Sequence, residues 1–166
     1  MRPFMIAAGV AAATGGTLRI AAIFTVEAFP AQTLLYLYYA IDVFLMLGLA
    51  GWYVSRAGKL GQAGLAGFIV ATAAILTIRS GSLFGAQTYA LGSALLLGGL
   101  AIMNLPTFLR RDGSIVAPAL WLASLACGIG AVAFASPVLL TALAALLFGL
   151  GFAMAGVELL RIREPV

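Results

Sequence analysis

The sequence predicts an all-α, polytopic membrane bundle of six spanning helices forming one domain over residues 1–166. Three observations carry this. First, 64% of the residues are hydrophobic and 8% charged, with a mean hydropathy of +1.16, which leaves too little polar surface to cover a soluble globule. Second, apolar stretches recur at 3–29, 31–54, 60–78, 82–109, 115–135 and 137–160, each near or above the ~20 residues a helix needs to cross the hydrocarbon core. Third, nothing in these stretches alternates with period two, as the ~10-residue strands of a membrane barrel would.

Taken in order, the first span opens on a basic residue, Arg2, and an apolar run ending in small residues, the outline of a secretory leader. Apolar character resumes from Leu18 to Phe29, so residues 3–29 are expected to form one long helix, because cutting the run in half would leave a stub too short to span. Pro30 marks the first connection, and span two follows with Asp42 in its middle. Span three begins after Arg56 and Lys59, and span four carries Asn104 and Pro106 near its end, where a kink is expected. Pro3, Pro118 and Pro137 fall in first turns, where a missing N–H costs nothing. The single cysteine, Cys127, lies within span five, so no disulfide framework is available.

The basic residues set the expected orientation. Arg2, Arg56, Lys59, Arg110, Arg111, Arg161 and Arg163 fall on one side of the six-span plan, with only Arg79 opposite and Arg19 inside a span. The positive-inside bias then puts both termini in the cytoplasm. Compact connections and an alanine- and glycine-rich composition point to a bacterial inner membrane. The net charge of +4 follows from this topology alone, so nucleic acid is not an expected partner; membrane lipids are.

Sliding the chain by about fifty residues lays Tyr39, Ala40, Leu45, Leu47 and Gly48 on Tyr89, Ala90, Leu95, Leu97 and Gly98, and a further step lays Ala94 and Gly98 on Ala145 and Gly149. Three tandem helix hairpins, repeated in parallel, would produce this. Small residues also recur at helical spacing, as Ala63, Gly67 and Ala71, as Ala90, Ala94 and Gly98, and as Ala145, Gly149 and Ala153. In lipid such stripes let backbones approach. They are expected as packing seams, within one chain or between the copies of a homo-oligomer.

Polar residues inside the spans carry the functional expectation. Asp42 lies ~17 Å from the outer end of its span and Arg19 ~15 Å from the outer end of the neighbouring one, counting ~1.5 Å per residue. At matching depth an Arg19–Asp42 ion pair is expected, since either charge alone costs ~2.5–3.5 kcal/mol in the bilayer centre. Gly15 and Gly16 sit one turn from Arg19, and Tyr38 and Tyr39 one turn outward from Asp42. With Glu27 and Arg79 these residues outline a polar cavity in the outer half of the bilayer, and Arg19, Glu27, Tyr38, Tyr39, Asp42 and Arg79 are its expected ligand-binding residues. Its occupant would be lipid-like or an amphipathic small molecule. A balanced set of charges could equally clasp the helices together.

Whole enzyme classes fall away by composition. Without histidine, and with one cysteine, triads that use histidine, haem ligation by histidine, thiolate metal sites and paired-thiol redox chemistry are excluded. No metal and no cofactor is expected. The glycine-rich stretch 149–156 lies inside a span, where glycine serves packing rather than phosphate binding. Asp42 and Glu27 remain as candidate catalytic acids for an embedded acid–base enzyme acting on an apolar substrate. The third reading is a structural subunit that docks a partner through the small-residue seams.

Overall fold

The computed structural model describes residues 2–25, 28–84, 86–110, 113–134 and 137–162, with backbone alone at 80–84, 86–87 and 137. These residues form five helices: α1 (Arg2–Thr25), α2 (Ala31–Phe84), α3 (Ala86–Arg110), α4 (Val116–Ala133) and α5 (Pro137–Arg161). Among the described residues no strand occurs, and all five helices are long and apolar enough to cross a membrane.

Five helices stand where six were expected, because the separate spans expected at 31–54 and 60–78 are merged in α2, whose 54 residues continue to Phe84. A straight helix of that length would extend ~81 Å. It does not run straight. Gly61 alone leaves helical geometry, at φ 60° and ψ −153°, a combination open to glycine and strained for any other residue. On a continuous helix, Asp42 and Arg79, 37 positions apart, would lie ~55 Å from each other; here they form an ion pair. Tyr53 likewise stacks on Phe68, with ring centroids 4.8 Å apart. The limb after Gly61 therefore folds back along the limb before it.

The other neighbours also run antiparallel. A Cβ on Gly48 would come 2.6 Å from the Ala12 Cβ, and one on Gly51 would meet Ala8, so α1 lies against the first limb of α2. Gly16 faces Gly149 while Gly9 faces Gly156 and Leu160, which puts α5 on the other side of α1. Gly67 and Ala71 of the second limb close on Met103 and Gly99 of α3. Of the three expected small-residue seams, those built on Gly67 and on Gly149 pack within the chain. The third does not: Gly98 has nothing near its Cβ position, and Gly99 makes the close approach instead. One residue turns a helix face by about 100°, enough to swap a seam for an open surface.

The interior is an aromatic column. Trp52 and Trp121 meet edge to face at 5.5 Å, Trp121 lies 5.0 Å from Phe152, and Phe148 follows at 5.1 Å. Trp52 donates its indole N–H to Asn104 Oδ1 at 3.1 Å, and Asn104 Nδ2 donates to the Leu100 carbonyl. Ser124 of α4 donates to the Ala144 carbonyl of α5. Outside, Phe24, Val43, Leu109, Val132 and Val138 are exposed, an apolar periphery that suits lipid rather than water. Pro106 lies inside α3, which continues helical to Arg110.

Candidate functional site

Two polar clusters interrupt this apolar body, one near each end of the helices. The end holding Arg2, Gly61, Arg110 and Arg161 is here termed the basic end. Toward the opposite end, the first limb of α2 offers Tyr38, Tyr39 and Asp42, the second limb Arg79, α1 Arg19 and α3 Tyr89. Arg79 Nε donates to Asp42 Oδ2, and both side chains are mostly buried, at 23% and 16% exposure. The Arg79 guanidinium also lies 5.5 Å from the Tyr38 ring centre and 5.1 Å from that of Tyr39, within cation–π range. Arg19 lies 5.6 Å from the Tyr38 ring centre and donates through Nη2 to the Tyr89 hydroxyl at 3.1 Å.

The expected Arg19–Asp42 pair is thus replaced by Arg79–Asp42. Helix phase explains the exchange. The residues of α2 that face α1 are Leu45, Gly48 and Gly51, whereas Asp42 lies eleven positions before Tyr53, which is three turns and only ~20° of rotation. Tyr53 faces the second limb through Phe68, so Asp42 does too. Matching depth pointed to Arg19 and left Arg79 nearer the surface; azimuth, which depth does not supply, decides the partner. Arg19, left without that carboxylate, engages a phenol and a ring face, both neutral.

Of the residues expected to line the site, the structure gathers Arg19, Tyr38, Tyr39, Asp42 and Arg79 in one cluster; Glu27 lies outside the described residues. Tyr89 joins the cluster without having been singled out for it. Its alignment with Tyr39 when the chain is shifted by fifty residues was the available signal, and each of the two tyrosines meets an arginine.

The second cluster, at the basic end, was not anticipated as a site. Arg56 Nη2 donates to Glu158 Oε2 at 2.8 Å, and Ser114 Oγ donates to Glu158 Oε1 at 2.6 Å. The Arg56 guanidinium lies 3.3 Å from the Trp52 ring centre, and Arg110 Nη1 donates to the Lys59 carbonyl at 3.1 Å. From the sequence alone Arg56 carries only a topological role. The overlooked signal was Glu158, an acid in the last turns of a helix, where the macrodipole opposes a negative charge unless a cation is near. A cavity of about 230 Å³ opens here, lined by Trp52, Arg56, Glu158, Leu159, Arg161 and Ile162. A wider, apolar groove of about 440 Å³ lies toward the other end, lined by Ile23, Val138, Thr141, Ala142 and Ala145.

The cluster around Arg19 can hold an acceptor-rich group. Among the described residues in it, two guanidinium groups face one carboxylate, and that carboxylate is already engaged by Arg79. Comparison with family models, with curated proteins and with solved structures gave no match to this chain.

Proposed function

We propose that this chain is a six-crossing protein of a bacterial inner membrane, with both termini cytoplasmic, and that its outer-half cluster binds an amphiphile with an anionic head and an apolar tail. The observation that carries the reading is Arg19. It is half-buried on a membrane-length helix, and its contacts are the Tyr89 hydroxyl and the Tyr38 ring, with no carboxylate among the described residues. A guanidinium at that depth is costly unless a counter-ion reaches it. An anionic headgroup supplies one, Tyr89 and Tyr38 fix the geometry, and the exposed Tyr36, Tyr39 and Tyr89 offer amphipathic flanks to its upper chain.

The fold-back at Gly61 supports six crossings, and the short hairpins that result agree with a threefold hairpin repeat. The rival readings draw less support. Asp42 is held by Arg79 and so is poorly placed as a general acid or base. The glycine seams on Gly16, Gly67 and Gly149 close within the chain, leaving less for a docked partner to use.

The test is mass spectrometry of protein extracted in mild detergent from its host membrane. Wild-type protein should retain an anionic amphiphile that Arg19→Gln loses by about tenfold, the scale of one charged hydrogen bond. Tyr89→Phe should reduce retention by a smaller factor. Equal retention by wild type and Arg19→Gln would refute the site.

A further inference from the structure

The cavity at the basic end is a different place with its own donors. Its walls hold three charged groups, Arg56, Glu158 and Arg161. Both Glu158 oxygens already accept, from Arg56 and from Ser114, and the Trp52 indole N–H is given to Asn104. Donor capacity is left over. Arg56 Nη1 is buried without a hydrogen-bond partner, and Arg161 makes no hydrogen bond or ion pair with the described residues. The cavity therefore favours a group that brings acceptors and negative charge. It must do so against the negative end of the α5 macrodipole, equivalent to about half a charge, which the full charge of Arg161 outweighs.

The rest of the lining says what carries that group. Trp52, Leu159 and Ile162 make the remaining walls apolar, and Leu160 and Ile162, 46% and 50% exposed, continue the apolar surface out onto the side of the bundle. A soluble phosphate compound would leave that surface in water. A phospholipid covers it. Stacking of Arg56 on Trp52 and its bond to Glu158 hold the guanidinium plane in advance, so little ordering is needed on binding.

We propose that this cavity binds the headgroup of an anionic phospholipid, with Arg161 and Arg56 taking the phosphate and the exposed Leu160 and Ile162 receiving the start of the chains. The site is separate from the Arg19 cluster and stands or falls independently of it.

The test uses delipidated full-length protein in detergent, titrated by native mass spectrometry with phosphatidylglycerol, phosphatidylcholine and inorganic phosphate. One equivalent of phosphatidylglycerol should bind about tenfold more tightly than phosphatidylcholine. Arg161→Gln should erase that preference, Arg161→Lys should keep part of it, and Arg2→Gln, which removes the same charge at the same end outside the cavity, should leave it intact. Ile162→Asn, at an exposed position, should weaken both lipids alike. Equal losses from Arg161→Gln and Arg2→Gln would overturn the site in favour of diffuse attraction to the basic end. Displacement of phosphatidylglycerol by inorganic phosphate would overturn the lipid and assign the cavity to a soluble phosphate compound.

Discussion

Cutting the bond between Asp42 and Arg79 should loosen the fold-back of α2. The pair joins two limbs of one helix through a turn whose geometry only Gly61 breaks. Its worth can be bracketed. An exposed ion pair is worth ~0–1 kcal/mol, and removing one partner of a fully buried pair costs ~3–5 kcal/mol. With side chains 16% and 23% exposed, this pair falls between, so Asp42→Asn should cost about 2 kcal/mol. Arg79→Gln should cost more, by roughly 0.5–1 kcal/mol, because it also removes the guanidinium from the Tyr38 and Tyr39 rings. The double substitution removes both charges together. Its cost should fall short of the sum by ~1–1.5 kcal/mol, toward the upper end of couplings measured between membrane helices. The assay is reversible unfolding in mixed micelles, run as a double-mutant cycle. A parallel cycle on Arg19 and Asp42 should show coupling below ~0.5 kcal/mol. Additivity for Arg79 with Asp42, or strong coupling of Asp42 with Arg19, would refute the assignment of partners.

The glycines give a second test, since Gly99→Leu should destabilise by more than ~3 kcal/mol while Gly98→Leu, one position away in open space, should be tolerated within ~0.5 kcal/mol in the same unfolding assay. Gly61→Ala should cost ~1–3 kcal/mol for its backbone conformation although no atom lies near its Cβ position, whereas Gly58→Ala, on an open helical site, should be neutral or mildly stabilising. Reporter fusions after Gly61 and after Ile162 should read as cytoplasmic and one at Thr88 as external; a cytoplasmic signal at Thr88 would end the six-crossing topology. At the basic end, Ser114→Ala should lower stability by ~1 kcal/mol and Glu158→Gln by more, because the latter leaves a mostly buried guanidinium without its carboxylate.

The features legible in the sequence were those that depend on composition and length. The membrane class, the helical content and four of the five helices follow from apolar runs that have only one way to satisfy their backbone groups in lipid. The reversal within α2 was legible as a connection between the spans at 31–54 and 60–78, but its exact place and tightness were not, because a turn made at a single glycine leaves no loop between the two helical limbs. No proline marks the spot, and the polar residues that announce a connection fall a few positions early. Residues 55–59 look like a connection by charge, yet they are helical, and Gly61 does the turning. The seam at Gly98 is not used within the chain for a related reason: a stripe of alanine and glycine shows where backbones can approach, and its neighbour Gly99 belongs to an equally good stripe rotated by about 100°.

Partner choice among buried charges follows the same rule. A rise of ~1.5 Å per residue gives depth from position alone, and depth matched Asp42 with Arg19 while leaving Arg79 nearer the surface, yet Asp42 pairs with Arg79. Which two of them meet depends on rotation about the helix axis, fixed by packing far away: Gly48 on Ala12 and Tyr53 on Phe68 set the phase that turns Asp42 toward Arg79. Small-residue contacts on one face of α2 thereby decide the electrostatics of another. If that is so, Gly48→Leu, whose nearest neighbour is Ala12 and not a charged group, should not only destabilise α1 against α2 but also weaken the Asp42–Arg79 coupling. Repeating the double-mutant cycle in a Gly48→Ala background, where the helices are pushed apart less severely, should show that coupling reduced by about half. An unchanged coupling would mean that Asp42 and Arg79 find each other without help from the seam, and the fold-back at Gly61 alone would suffice to align them.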